Sequence, residues 1–399
     1  MLKFRSSFNG VQSLNFSYGF HLLLRYSTSA SISGEANPNF ANYFVECLGF
    51  SRQHALSTSA KLARYRHIRG FKKVCECNSN FIENANSVIK FLKQIGLEQS
   101  HVQDVIISNP RILFSNVDKT LMPKNEVFLK MGFSRSDVID VVKVNPSIFF
   151  AGSIIVPLLQ ALREIMSCDS HVIDILKKLR GMRLHGISKN FVPNVALLQN
   201  YGIPIESIRK FMLRMPFTFS RKPDIFEDVV IRVEKDLGIA RDSPKFLLGI
   251  HMLASVNKET FNSKIEMFKS FGWTESDVLA LFRRQPSCFG LSVATIKKKL
   301  AFFMTELGYQ PDSLISWSLL LTYNLEKRMV PRHMVILALK EKGLIRMDYP
   351  FHSATSLSES RFLERFVLPF KEVHEYSKHV GLSMEVLTQT LLENNPDRA

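Results

Sequence analysis

A chain of 399 residues, 46% hydrophobic and 22% charged, exceeds one ordinary compact domain, and its 16 Pro and 18 Gly exclude a collagen-like or largely disordered polymer. Fifty-two Lys and Arg against 36 Asp and Glu leave a formal net charge of +16, the excess expected of a partner for nucleic acid or an anionic membrane. Five cysteines, scattered at Cys47, Cys75, Cys77, Cys168 and Cys288, exclude a disulfide framework and suit a reducing compartment.

Residues 1–30 read as an organelle transit peptide. Lys3, Arg5 and Arg25 are unopposed by any acid up to Gly34, and serines are interspersed with Phe, Leu and Tyr. The run Leu24-Arg25-Tyr26-Ser27-Thr28-Ser29 resembles a mitochondrial processing site near Tyr26, so the mitochondrion is expected, with the chloroplast as alternative. Residues 31–80 read as a linker and basic helical segment containing Lys61, Arg64, Arg66, Arg69, Lys72 and Lys73. The uncharged stretch Val144–Leu162 is long enough to raise a membrane span, but Asn145, Pro146, Gly152 and Pro157 interrupt it, and no membrane partner is expected.

From about Phe81 to Asn324 the chain repeats itself. A glycine follows an amphipathic helical pattern at Gly96, Gly132, Gly202, Gly238, Gly272 and Gly308, with a degenerate unit around Met166 to Cys168 filling the one double interval. Six, nine and ten residues beyond the glycine come apolar residues: Val102, Val105 and Ile106 in one unit, Val278, Leu281 and Phe282 in another, the stripe of a second helix. Fourteen residues beyond stands Pro110, Pro146, Pro216 or Pro286, which must end that helix. Ser134 with Asp137, and Thr274 with Asp277, have capping-box spacing, and Pro204 and Pro311 suit a first helical turn. Two helices and a break cannot bury their stripes alone. The expectation is therefore all-α: a right- or left-handed α-solenoid superhelix of about seven helix-pair repeats of 34–36 residues, occupying residues 81–347 with a closing segment. Most of the 32 phenylalanines are then core. Residues 348–399, helical around Ser360 to Val380, form a C-terminal cap and tail.

The order helix, glycine, capped helix, proline, then a hydrophobic pair such as Ile112-Leu113 or Ile148-Phe149 resembles the mitochondrial transcription termination factor (mTERF) family, particularly its plant members. The stretch Tyr323-Asn324-Leu325-Glu326-Lys327-Arg328-Met329-Val330-Pro331-Arg332, followed by a helix to Gly343-Leu344, resembles the segment that closes the array in those members. Met252 and Thr322 replace the proline in two units. The resemblance implies an organelle-targeted helical superhelix whose basic concave face binds nucleic acid, in transcription termination or initiation, intron splicing or ribosome assembly.

Gripping a polyanion needs several cations presented together. The candidates are Lys143; Lys177, Lys178 and Arg180, with Arg183 beside them; Arg209, Arg214, Arg221 and Lys222, with Lys210; Arg283, Arg284, Lys297, Lys298 and Lys299; and Arg328 and Arg332. Arg214 and Arg284 both lie two residues before their prolines, so stacking would align them along the array. A cation in a last helical turn also complements the helix dipole, and Arg328 and Arg332 serve equally well to hold the closing segment, with Glu326 near enough to pair with one of them. No phosphate loop, dinucleotide fingerprint, kinase motif or nucleophile elbow is present. His374 and His379 stand five residues apart, which turns the second away from a zincin's metal. The sequence thus predicts a non-enzymatic, cofactor-free monomer that clamps duplex DNA at a mitochondrial terminator and works with organelle transcription or splicing proteins. RNA binding for intron splicing or rRNA maturation is the alternative, and a protein-interaction scaffold a further one.

Overall fold

The computed structural model describes residues 37–64, 77–180 and 184–370, apart from the side chains of residues 64, 185 and 186. The transit peptide, Arg66, Arg69, Lys72, Lys73, Cys75, Arg183 and the His374–His379 pair lie outside them. Among the described residues every regular element is helical, and no helix is long and apolar enough to cross a membrane.

The chain divides into two units, residues 1–121 and 122–399. The first holds the antiparallel pairs α1 (Pro38–Glu46) with α2 (Arg52–Arg64) and α3 (Ser79–Gln94) with α4 (Gln99–Ser108). The second holds α5 (Met122–Lys130) with α6 (Arg135–Val144), α7 (Ile155–Ile165) with α8 (Asp169–Lys178), α9 (Leu184–Asn200) with α10 (Ile205–Arg214) and α11 (Pro223–Lys235) with α12 (Phe246–Ser255). It continues with α13 (Lys258–Lys269) and α14 (Glu275–Arg284), α15 (Val293–Leu300) and α16 (Pro311–Ser316), then α17 (Val330–Glu341), α18 (Phe351–Thr355) and α19 (Glu359–Phe366).

All six repeat glycines have φ between +67° and +110°, the left-handed region that ends a helix without a Cβ clash. Gly343, between α17 and α18 in the closing segment, does the same, and so does Gly49 between α1 and α2, where the punctuation runs beyond the N-terminal end of the expected array. In the degenerate unit, Met166 and Cys168 are extended instead, and the turn is made without a left-handed residue. Both capping boxes form: Ser134 and Thr274 accept the amides of Asp137 and Asp277, whose carboxylates accept the cap amides in return. Pro311 opens α16 as expected, whereas Pro204 lies one residue outside α10, at its cap.

The repeat is not a pair of helices with a break. The proline that ends the second helix starts a five-residue 3₁₀ turn, at Pro110–Phe114, Pro146–Phe150, Pro216–Ser220 and Pro286–Gly290. A first-turn proline loses no hydrogen bond, and the hydrophobic pair that follows faces inward. Ser318–Thr322 makes the same turn without proline, while the unit with Met252 has α12 in its place. The three parts share one core: Phe261 of α13 and Phe282 of α14 lie 5.5 and 4.9 Å, ring to ring, from Phe289 of the 3₁₀ turn.

A polar side chain from the first helix fastens that turn. Asn84 donates to the carbonyls of Leu113 and Ser115 (2.7 and 3.1 Å), and Asn194 to those of Phe219 and Arg221 (2.9 and 2.7 Å). Lys264 donates to Phe289 and Lys299 to Tyr323 in the corresponding places. Without these donors the carbonyls at the exit of each turn would be buried unpaired. Downstream, α19 closes over α17 in a core of Val335, Leu339, Phe362 and Phe366.

Candidate nucleic-acid interface

The predicted cations fall into three groups that their spacing does not separate. Lys299 and Arg332 are corrections to the expected phosphate-facing set. Each is 3% exposed and directed into the protein. Lys299 donates to the Tyr323 carbonyl, and burial pushes its amine down to about 8. Arg332 gathers the carbonyls of Thr355 and Leu357 (3.1 and 2.8 Å) and pairs with Glu359 at 2.5 Å. Burial lowers the Arg332 pKa against the opposing pull of that carboxylate. Half-buried Arg328 joins it on Thr355 and Leu357 (3.0 and 2.7 Å) with its guanidinium 4.2 Å above the Tyr323 ring. The closing segment is held by these two arginines. Glu326 takes no part in that, pairing instead with Lys298 at 3.3 Å.

A second group ties neighbouring repeats together at the surface. Lys177 pairs with Asp140 at 3.2 Å; Arg209 binds the Ile165 carbonyl at 2.7 Å and Glu206 at 2.5 Å; Arg221 donates to the Ala254 carbonyl. Lys178 donates to the Leu213 carbonyl and Arg284 to the Ser316 carbonyl at 3.1 Å, each reaching forward to the last turn of the next second helix. Helix C-terminal carbonyls have no partner within their own helix, so a cation from the preceding repeat satisfies them and complements the dipole. Asn145 does the same uncharged, on the Leu176 carbonyl at 2.8 Å. In the first unit Lys61 does so on Ile107 at 2.7 Å.

The third group is free. Among the described residues Lys143, Arg180, Arg214, Lys222, Arg283 and Lys297 make no hydrogen bond or ion pair, and all but Lys143 are exposed. Arg283 lies across the preceding repeat's glycine turn, where a Cβ on Gly238 would come 3.2 Å from its Nη1.

Arg214 and Arg284, aligned from spacing alone, open onto two adjacent grooves. Arg214, Lys210 and Arg241 line one of about 670 Å³, and Arg284, Lys245 and Trp317 line the next, of about 380 Å³. The loop 241–245 contributes to both: Lys178, Arg214 and Arg284 end α8, α10 and α14, and Lys245, at the N-terminal cap of α12, shares a groove with Arg284. Arg241 is fixed at the rim by Glu234 (2.6 and 2.8 Å) and by the Tyr201 ring at 4.4 Å. Lys297 and Lys298 stand apart from this set, on the first helix α15. Lys245 and Trp317 were missed by sequence reasoning: Lys245 follows a turn with no periodic register, and Trp317 occupies a position that holds packing residues elsewhere.

No group of three metal-ligating side chains occurs among the described residues. Cys168 at the start of α8 has its thiol pKa lowered, chiefly by the Ser170 hydroxyl, and has no catalytic partner there. His251, buried against Thr218 at 2.7 Å, is held neutral, its pKa lowered to about 4 by burial.

Glycine-punctuated helix pairs, each followed by a short turn and stacked on the next, define a helical-repeat protein. The mTERF family model matches residues 73–156 and 151–363, and the chain belongs to the mTERF family. Members of this family are nucleic-acid-binding regulators of organelle gene expression rather than enzymes. In Arabidopsis thaliana the chain is similar to transcription termination factor MTERF15, mitochondrial, at 23% identity over 72% of this chain and 56% of that protein. It is also similar to transcription termination factor MTEF18, mitochondrial, at 22% identity over 73% of this chain and 50% of that one. The chain thus spans about half the length of the curated relatives it matches. Both relatives are named as mitochondrial, in agreement with the expected mitochondrial location.

Proposed function

We propose that the chain is a mitochondrial regulator of gene expression that grips duplex DNA through its sugar-phosphate backbone and obstructs or positions the polymerase at a terminator. The observation that carries this reading is the set Lys178, Arg214 and Arg284 at the ends of three second helices, with Lys245 beside Arg284. Cations at corresponding helix ends in three repeats, with Lys245 beside one of them, suit a phosphate backbone, and each phosphate neutralised releases condensed counterions. The names of the two relatives point to termination. Organelle transcription proteins are the expected partners.

RNA is the second reading, favoured by one observation: Trp317 is 44% exposed beside Arg284 and Lys245, where an unpaired base could reach it. Crosslinking in isolated mitochondria followed by sequencing of the bound nucleic acid separates the two. A DNA footprint is expected; recovery of intron or ribosomal RNA with no DNA footprint reverses the order. Failure to bind any duplex or single strand at low salt would instead indicate a protein-interaction scaffold.

A further inference from the structure

The chain has two tryptophans, and they are used differently. Trp273 is 3% exposed, packed on Phe268 with ring centres 5.0 Å apart. Trp317 joins α16 to the last 3₁₀ turn and is 44% exposed. One face of its indole is covered by the His352 ring, 3.6 Å away and inclined by only 16°. The stack fixes the indole plane while the residue stays open to solvent. Beside it are Arg284 from the preceding repeat, Lys245 from the one before that, and the Ser356 hydroxyl. Arg284 gives a single hydrogen bond to the Ser316 carbonyl, which leaves most of its five donors free. Lys245 makes no side-chain bond among the described residues.

A core explanation does not account for this. Leu319, in the same pocket, is 52% exposed, so the position is not an apolar seam between repeats. A fixed aromatic plane, two cations within one pocket width and a volume of about 380 Å³ match a ligand with a flat ring at one end and negative charge at the other. We propose that this pocket is a nucleotide site, in which one unpaired base stacks on Trp317 while Arg284 and Lys245 take the attached phosphate. The assignment rests on the nucleic-acid reading above and extends it: the helix-end cations grip a backbone, and Trp317 selects for a base outside the double helix. The same chemistry would also accept a free nucleoside monophosphate.

Intrinsic fluorescence tests it on the full chain, because Trp317 is the exposed emitter and Trp273 the shielded one. Three probes are titrated at low salt: adenosine monophosphate, a 20-nucleotide single strand and a blunt duplex of the same sequence, with fluorescence anisotropy of labelled strands reporting binding independently. The single strand is expected to quench the emission and the blunt duplex to leave it unchanged. Quenching by adenosine monophosphate as well identifies free nucleotide as a second source; its absence confines the site to strands. Trp317→Phe should abolish the quenching and weaken single-strand binding about tenfold relative to duplex. Arg284→Gln should weaken the binding of the single strand, and of adenosine monophosphate where that quenches, while Trp317 emission in the free protein is unchanged. Strand binding by anisotropy with no quenching, or equal quenching by strand and blunt duplex, overturns the nucleotide site and leaves the backbone reading intact. No binding of any probe by anisotropy overturns the backbone reading itself.

Discussion

Lys299 is the residue whose chemistry departs furthest from what its neighbours in sequence suggest. Lys297, Lys298 and Lys299 look alike as a basic run, yet one helical step turns the last of them inward, 3% exposed, against the Tyr323 carbonyl. Burial without a carboxylate favours the neutral amine, so its pKa falls to about 8 from an ordinary value near 10.4. Between those values the unfolded chain binds the extra proton, and stability rises with pH. Raising pH from 7 to 9 should therefore stabilise the wild type by about 1 kcal/mol relative to Lys299→Met, read as the difference in urea midpoints. The comparison stops at pH 9 because buried Cys288 has the opposite sign. Its thiol stays protonated up to about 12, so above the ordinary thiol range the unfolded state loses the proton first and stability falls. Lys264, 4% exposed with its pKa also lowered by burial, remains in the variant, so some of the rise persists there.

At the scale of elements, the glycines separate two ways of being irreplaceable. Gly272 has φ +83° with nothing within 4 Å of an added Cβ, so Gly272→Ala should cost about 1–2 kcal/mol through backbone strain alone. Gly249 lies inside α12 with ordinary φ, but its Cβ would meet Ile239 Cδ1 at 2.8 Å and Val233 Cγ1 at 3.1 Å. Gly249→Ala should cost about 1–3 kcal/mol through overpacking, and Gly249→Ala with Ile239→Val should recover part of it; urea unfolding of the three variants checks both. Only the first kind was legible in the sequence, because a helix-ending glycine announces itself by period and position. The capping boxes were legible for the same reason: Thr274 and Asp277 are three residues apart and need nothing else. The 3₁₀ turn after each proline was not, since five residues carry no periodicity that a pattern can show. Nor were its latches, where Asn194 meets a carbonyl 25 residues away and Lys264 one equally distant.

For the whole molecule, net charge of +16 is the excess expected of a polyanion's partner, but it does not say which cations would meet one. Spacing gives Arg214 and Arg284 the same place in their repeats, and each lines a groove. It could not reveal that Lys177 and Lys298 are ion-paired, because each interaction depends on where the fold places a carboxylate 37 or 28 residues away. That division makes a quantitative prediction. On B-DNA the slope of log affinity against log salt is about −0.9 for each phosphate neutralised. Replacing Arg180, Arg214 and Arg283 by Ala removes three unpaired cations and no internal hydrogen bond, so the slope should become shallower by about 2–3 with the unfolding midpoint nearly unchanged. Lys298→Ala removes an equal single charge that is already opposed by Glu326, and its slope should stay close to wild type. Arg332→Ala should do the reverse of the triple variant, destabilising the fold by about 2–3 kcal/mol as Glu359 loses its partner, the Thr355 and Leu357 carbonyls keep only Arg328, and a buried side chain leaves a void. If Lys298→Ala flattened the salt dependence as much per charge as the triple variant, the affinity would come from diffuse positive charge rather than from the unpaired cations. Titrating one duplex at four salt concentrations against each variant decides between the two.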